Sequence, residues 1–389
     1  MFPRLTINLE KIRANTEALV RLAGDTAIIG VTKACLGSPE VAAAMIAGGV
    51  SGLADSRLQN LSRLKTTTTT PLTLLRQPQT GEIEAAASIA DQILVTEVET
   101  ARRLAAAPPT GRRPELLVMV EMGDGHDGVN EDELPDFLSR VAAAGIRVAG
   151  LAANVGCSFG SVPTAKQLLR LVALKPIAEA ALGYKIRVMS GGNSGCLPLL
   201  ISSEIPPEIN QLRLGESILL GHDTVSYKTL PGLAGDAFIL EAEVIEVRQK
   251  TIGGIEGDRV VLALGTQDVG TAPLYLIGPG QSKLRTWSKA PDANGVPTKR
   301  TLLCGVEEQT NAEVRERMCD YVTEPKRRIT RQMGFSATLL DRSSDHIVIG
   351  AGLKPVPTSL GDRVKFIPSY FALLAAMTSP YIEKRFVGL

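Results

Sequence analysis

No excess of either charge exists in this chain. Its 42 basic residues face 41 acidic ones, for a formal net charge of +1. No field is present to gather a polyanion, and nucleic acid is not an expected partner. Paired cysteines are missing as well: Cys35, Cys157, Cys196, Cys304 and Cys319 are odd in number and form no CxxC. That leaves neither a disulfide framework nor a zinc site, so no metal is expected and the compartment is read as reducing. No apolar run approaches the ~18 residues of a membrane span. Met1-Phe2-Pro3-Arg4 leads straight into an alternating strand, without the basic and apolar segments of a leader. The expectation is a soluble cytoplasmic protein that touches no membrane.

What is present is a rhythm. Apolar runs rich in Val, Ile and Leu occur at Ala27 to Thr32, Gly52 to Ala54, Leu72 to Leu75, Gln92 to Val95, Leu116 to Val120, Val148 to Ala153, Ile186 to Met189 and Ile209 to Leu214. Helical patterns separate them, at Pro39 to Ala47, Arg57 to Leu64, Glu82 to Ala90, Glu97 to Ala106, Glu133 to Ala144, Ala165 to Leu182 and Cys196 to Ser202. Continuous apolar strands alternating with amphipathic helices are the pattern of buried parallel sheets. Eight strands within roughly 200 residues favour an α/β fold of the closed (β/α)8 kind, a TIM-like barrel, over an open sheet.

After Gly221 the texture changes. Phe238 to Val247 alternates in β fashion, and short strands are expected at Val260 to Leu264, Leu274 to Ile277, His346 to Ile349 and Arg363 to Ile367. The division expected is a barrel over 1–232 and a smaller, mainly β domain over 233–389, with an insertion at about 282–334 that carries a helix-like Glu308 to Val322. Thr66 to Thr70 is a polar connector.

Working residues of such a barrel lie on the loops that follow its strands, with phosphate commonly held after the seventh and eighth. Strand one ends on Lys33, strand five on Glu121 to His126, and strand six on Asn154 to Cys157. Strand seven ends on Ser190 to Gly195, including Asn193 and Ser194, and strand eight on Arg213 to Glu216. An amine at the mouth is placed for Schiff-base chemistry. Glycines with Ser and Asn entering a short helix supply amides and a hydroxyl for an anion. A phosphate seat across the mouth from a lysine suggests pyridoxal phosphate. Blander readings stand beside these: a strand-ending lysine also snorkels to solvent, a glycine-rich turn also makes a plain tight corner, and an arginine also satisfies carbonyls. Their common position on one barrel face is what raises all three together.

The stretches GVTKACLGSPEVAAAMIAGGVSGLADSR from Gly30, VMVEMGDGHDGV from Val118, GLAANVGC from Gly150, SGGNSGCLPLL from Ser190, INQLRLGESILLG from Ile209, LALGTQDVG from Leu262, SSDH from Ser343 and YFALLAAMTSPYIEK from Tyr370 occur in that order. Together they resemble the alanine racemase fold group of pyridoxal-phosphate enzymes, nearest to its ornithine racemase branch, over nearly all of 1–270 and again over 334–385. The resemblance implies an amino-acid racemase acting on alanine, ornithine or a similar substrate. Lys33 would carry the cofactor and move a proton on one face of Cα. Arg213 would face the pyridine nitrogen. Ser194, the backbone amides of Gly215 and Glu216, and Tyr370 would hold the phosphate, with Asn154 beside the ring and Asn193 also among the cofactor-binding residues. His126, Ser344 and Asp345 would lie on the substrate side. The resemblance also implies a homodimer in which the second domain of one subunit closes the barrel of the other.

Three departures qualify it. A tyrosine that serves as the second acid–base in alanine racemases has no counterpart, because Lys250 is followed only by Thr251 to Asp258 before the strand at Arg259-Val260. Tyr227, His222, Tyr321, Cys304, Cys319 and His346 are candidates to replace it. His126 stands where relatives carry arginine, and Leu36-Gly37 where a tyrosine follows the lysine. The insertion at 282–334 is the third. Two other readings therefore remain open: a same-fold enzyme performing another reaction at Cα (epimerase, decarboxylase or aldol-type lyase), and a non-catalytic cofactor-binding protein.

Overall fold

In the computed structural model, described for residues 3–108, 111, 113–156, 162–225, 228–252, 255–277, 284–286, 337–351 and 359–388, the eight apolar runs close into a ring of parallel strands. Strand β1 (Arg4–Asn8) precedes the ring, which consists of β2 (Ala27–Val31), β3 (Gly52–Asp55), β4 (Leu72–Leu74), β5 (Gln92–Val95), β6 (Glu115–Met119), β7 (Val148–Ala152), β8 (Val188–Ser190) and β9 (Gln211–Leu214). Every residue of β3, β6, β7, β8 and β9 is buried. Burial on both faces is why these strands are continuously apolar instead of alternating. Along β6, Leu116 and Val118 join the large core under the helices, whereas Leu117 and Met119 belong to a separate cluster with Leu94, Ala152 and Val188 inside the ring. At β7 the ring tolerates only glycine: a Cβ on Gly150 would lie 1.8 Å from the Val188 carbonyl oxygen.

The second sheet follows as β10 (Phe238–Ile252), β11 (Ile255–Leu262), β12 (Leu274–Ile277), β13 (Leu284–Thr286), β14 (Ala337–Arg342), β15 (Ile347–Ala351), β16 (Arg363–Pro368) and β17 (Glu383–Val387). Its order is β13-β12-β16-β10-β11-β15-β14. The N-terminal strand belongs here and not to the barrel. β1 pairs antiparallel with β10 and parallel with β17, so the barrel is inserted between the first strand of this sheet and the rest. Asn15, buried on the Leu9–Ala23 helix, donates to the carbonyls of Ile218 and Ala234 and accepts from Ala234 N. It thereby fixes the chain where it leaves the barrel. Among the described residues no helix is long and apolar enough to cross a membrane.

Three details differ from the sequence reading. The helix expected over Ala165 to Leu182 is two, Ala165–Ala173 and Lys175–Leu182. Pro176 supplies no N–H and sets its ring against the preceding turn, so the first helix stops. A helix not expected, Leu9–Ala23, is capped by Asn8, whose side chain accepts from Lys11 N at 2.9 Å. The stretch Thr251 to Asp258 is not simply a loop: β10 continues to Ile252 and β11 begins at Ile255, the two residues paired with each other across the antiparallel ladder. The helix-like Glu308 to Val322 and nearly all of the expected insertion lie outside the described residues.

Candidate active site

Lys33 opens a single 3-10 turn, Lys33–Cys35, directly after β2. Its position is set from below by Thr32, which donates its hydroxyl to Asp55 Oδ2 at 2.7 Å and its amide to the Ala54 carbonyl. Asp55, fully buried at the end of β3, also accepts from Arg57 N at 2.9 Å and Asn60 Nδ2 at 3.0 Å. Burial pushes its carboxyl above the ordinary aspartate range, and those three donors oppose the shift. Leu36 and Gly37 then turn the chain with φ of 54° and 57°. A Cβ on Gly37 would come within 2.9 Å of Asn60. A non-glycine residue such as Leu36 in that region costs on the order of 1 kcal/mol, which the packing around the turn offsets. Burial pushes the Cys35 thiol up to about 12, so this cysteine packs and does not act as a nucleophile.

Arg213 projects into the ring from β9, where it is directly opposite Ile29 of the inner layer. It is 4% exposed, and its guanidinium donates to Ser190 Oγ and to the Ala153 carbonyl, the latter at 2.6 Å. Those two bonds tie together the C-terminal ends of β7, β8 and β9. Asn193 Nδ2 donates to Asn154 Oδ1 at 2.9 Å and to the Val155 carbonyl, while Asn193 Oδ1 receives Gly195 N. Ser217 N reaches Ser194 Oγ at 3.4 Å. A Cβ on Gly215 would meet Val31 at 3.0 Å. The carboxylate of Glu216 is 2.7 Å from Nε2 of His222. The helix Tyr370–Thr378 packs against the Lys33 turn, which brings Tyr370 of the second region to the same mouth.

Across the ring, the loop after β6 is braced by its own side chains. Glu121 Oε1 accepts from the amides of Gly123, Asp124 and Gly125, Asp124 Oδ1 receives Gly156 N, and Gln167 Nε2 donates to the Met122 carbonyl. Partial burial alone would raise the Glu121 carboxyl, but the loop amides outweigh it and hold it below the ordinary value. Such a group stabilises the fold above its unfolded pKa, near 4.5, and that contribution fades as pH falls through the lowered folded value. Glu121→Gln is therefore expected to lower the melting temperature at pH 7, with the deficit shrinking as the pH falls below the ordinary carboxyl range. A deficit that stays constant with pH would show that the charge contributes nothing. On this loop His126 is exposed, with Nδ1 2.9 Å from Asp127 Oδ1.

Lys33, Asn154, Asn193, Ser194, Arg213, Gly215, Glu216 and Tyr370 are thus gathered, and His126 stands on the same rim. Ser344 and Asp345 are elsewhere, exposed on a turn of the second sheet. There the Ser343 and Ser344 carbonyls accept from Thr266 N and Gln267 N, and Asp345 accepts from Gln267 Nε2 and Ser344 Oγ. Of the groups considered for the missing tyrosine, His222 is 1% exposed and committed to Glu216. His346 is exposed beside Asp345. Tyr227, Cys304, Cys319 and Tyr321 lie outside the described residues. Asp55, Ser217 and Asp127 escape sequence reasoning, because only their contacts single them out.

The donor set fits pyridoxal phosphate. An amine, a buried guanidinium, and a serine beside a close-packed glycine at a helix start are its three kinds of partner. Ser217 Oγ is buried and has no hydrogen-bond partner among the described residues, as expected next to a seat built for an added acceptor.

Residues 7–223 match the family described as alanine racemase, N-terminal domain. The lysine racemase of Thermotoga maritima is 30% identical over 388 residues, covering 99% of this chain and 98% of that one. The ornithine racemase of Acetoanaerobium sticklandii is 26% identical over 389 residues, 99% of each. Among solved structures, alanine racemase from Corynebacterium glutamicum superposes with a TM-score of 0.65 at 17% identity, covering 99% of both chains.

Proposed function

The chain belongs to the alanine racemase family, and on that premise we propose that it is a pyridoxal-phosphate-dependent racemase of a basic amino acid, lysine or ornithine. The observation that carries this reading is that two racemases named for amino acids with a side-chain ammonium match it from end to end, second sheet included. When bound, the cofactor supplies a conjugated ring that accepts the electron pair released at Cα.

The protein's own residues do the rest. Lys33 would hold the cofactor and remove or return the α-proton on its face. The Arg213 guanidinium, permanently charged, would face the ring nitrogen and give it no proton. That would moderate the ring's pull on the electron pair and favour return of the proton to Cα over its transfer elsewhere. Ser194, the Gly215 and Glu216 amides and Tyr370 would hold the phosphate, with Asn154 beside the ring and Asn193 hydrogen-bonded to Asn154. The Glu216 carboxylate is committed to His222, so the exposed carboxylate of Asp345 is the one assigned to meet a side-chain ammonium. In the proposed homodimer the turn carrying Ser344 and Asp345 enters the partner's barrel, and its exposure supports the arrangement.

The test is incubation of the protein and cofactor with L- and D-amino acids in D2O, read by chiral chromatography with mass detection. Inversion of lysine or ornithine with deuterium at Cα is the expected result. Retention throughout, or a product lacking its carboxylate or side chain, would replace the racemase reading with another reaction at Cα.

A further inference from the structure

Racemisation needs two proton carriers on opposite faces of Cα, and only one, Lys33, has been placed. The ring supplies the geometry for the other. The strands run β2-β3-β4-β5-β6-β7-β8-β9 around a closed barrel, so the loops after β2 and β6 are four strands apart and diametrically opposed. Lys33 follows β2 and His126 follows β6. The amine and the imidazole are therefore carried on loops at opposite sides of the mouth.

His126 is built for proton transfer more than for anchoring an anion. Asp127 Oδ1 lies 2.9 Å from its Nδ1, and the two side chains are 54% and 38% exposed. The pair carries no net charge when the imidazole is protonated and a negative one when it is not. Neither state draws a substrate carboxylate as a guanidinium would. A carboxylate on Nδ1 instead selects the tautomer that presents Nε2 outward as the acid–base atom. The loop is held by three backbone N–H groups that donate to Glu121 and by Gly156 N donating to Asp124, so the imidazole is carried on a braced support. The chain has three histidines. His222 is buried with Nε2 engaged by Glu216, and the His346 imidazole meets no carboxylate among the described residues.

We infer that His126, oriented by Asp127, is the second acid–base of the reaction, working on the face of Cα opposite Lys33. This rests on the racemase reading above. In one direction Lys33 takes the α-proton and His126 Nε2–H delivers a proton to the other face; in the reverse direction the roles exchange. Each turnover leaves Lys33 with one more proton and His126 with one fewer, or the reverse, and the pair is reset when Lys33 gives its proton to solvent and the exposed imidazole takes one from it.

The experiment compares wild type, His126→Gln and Asp127→Asn, all loaded with cofactor, for inversion and for enantiomer-resolved deuterium uptake at Cα. Visible absorbance reports cofactor binding. Gln in place of His126 is expected to lower inversion by ~10²–10⁴-fold, the usual range for a general acid–base. The antipode whose α-proton faces Lys33 should still take up deuterium with retention. The other antipode should lose exchange, and cofactor binding should stay at the wild-type level. Asp127→Asn should give the same asymmetry with a smaller loss. Wild-type inversion in His126→Gln overturns the inference, as does a parallel loss of exchange in both antipodes with a raised KM, the signature of a carboxylate anchor. A wild type that inverts no amino acid removes the racemase reading and this inference with it, and that is known before any variant is read.

Discussion

Lys33→Ala is expected to abolish the visible absorbance of protein-bound cofactor and to lower racemisation by ~10³-fold or more, the loss of a covalent anchor together with a positioned acid–base. The fold should survive, because the residues that shape the turn are others: Thr32 on Asp55, Asn60 over Gly37, and the Tyr370–Thr378 helix against the 3-10 turn. An unchanged melting temperature beside lost activity is therefore part of the prediction. Residual phosphate affinity should persist through Ser194 and the Gly215 loop, so the variant should still bind the cofactor weakly and without the shifted spectrum. Undiminished activity in this variant would sink the assignment of the site as a whole.

Arg213→Gln carries the second large effect, and it divides in two. Structurally, the buried guanidinium donates to Ser190 Oγ and the Ala153 carbonyl. A shorter side chain leaves acceptors at the ends of β7 and β8 without donors, at about 1–3 kcal/mol each, and the melting temperature should drop. Chemically, a ring nitrogen no longer facing a permanent cation can take a proton, which strengthens the electron sink and lengthens the life of the carbanion. Racemisation should fall and pyridoxamine phosphate should accumulate with a keto acid as co-product, both readable by mass spectrometry. If the variant is destabilised yet forms no pyridoxamine phosphate, Arg213 is a structural arginine and its proposed role is wrong.

The barrel is legible in the sequence because of where its strands sit. A strand buried on both faces must be apolar throughout, so the eight runs announce themselves, as do the lysine and the arginine that end two of them. Local chemistry reveals less about pairing. Arg4–Asn8 alternates like any half-buried strand, and nothing in it points to β10 and β17 as its neighbours. Strand partners far apart in sequence leave no local mark. Pro176 divides a helix even though the apolar period continues through it, and the period alone hides the break. The stretch after Lys250 reads as a loop because Gly253-Gly254 and its polar neighbours carry turn chemistry, whereas the strands run up to either side of that pair.

At the site the same division holds. Residue type along the chain is enough to say which chemical groups end the barrel strands: an amine after β2, a guanidinium on β9, and glycine with serine and asparagine for an anion. A strand end is a one-dimensional fact. The contacts are not: that Asp55 pins Thr32 beneath the amine, that Arg213 is held by Ser190 and Ala153, and that Glu216 is committed to His222 while His126 is paired with Asp127. Nor is the position of His126 across the ring from Lys33. Closing eight strands into a barrel sets these two residues, far apart in the chain, on facing sides of one mouth, and no local backbone or side-chain preference encodes a separation that arises only from closure.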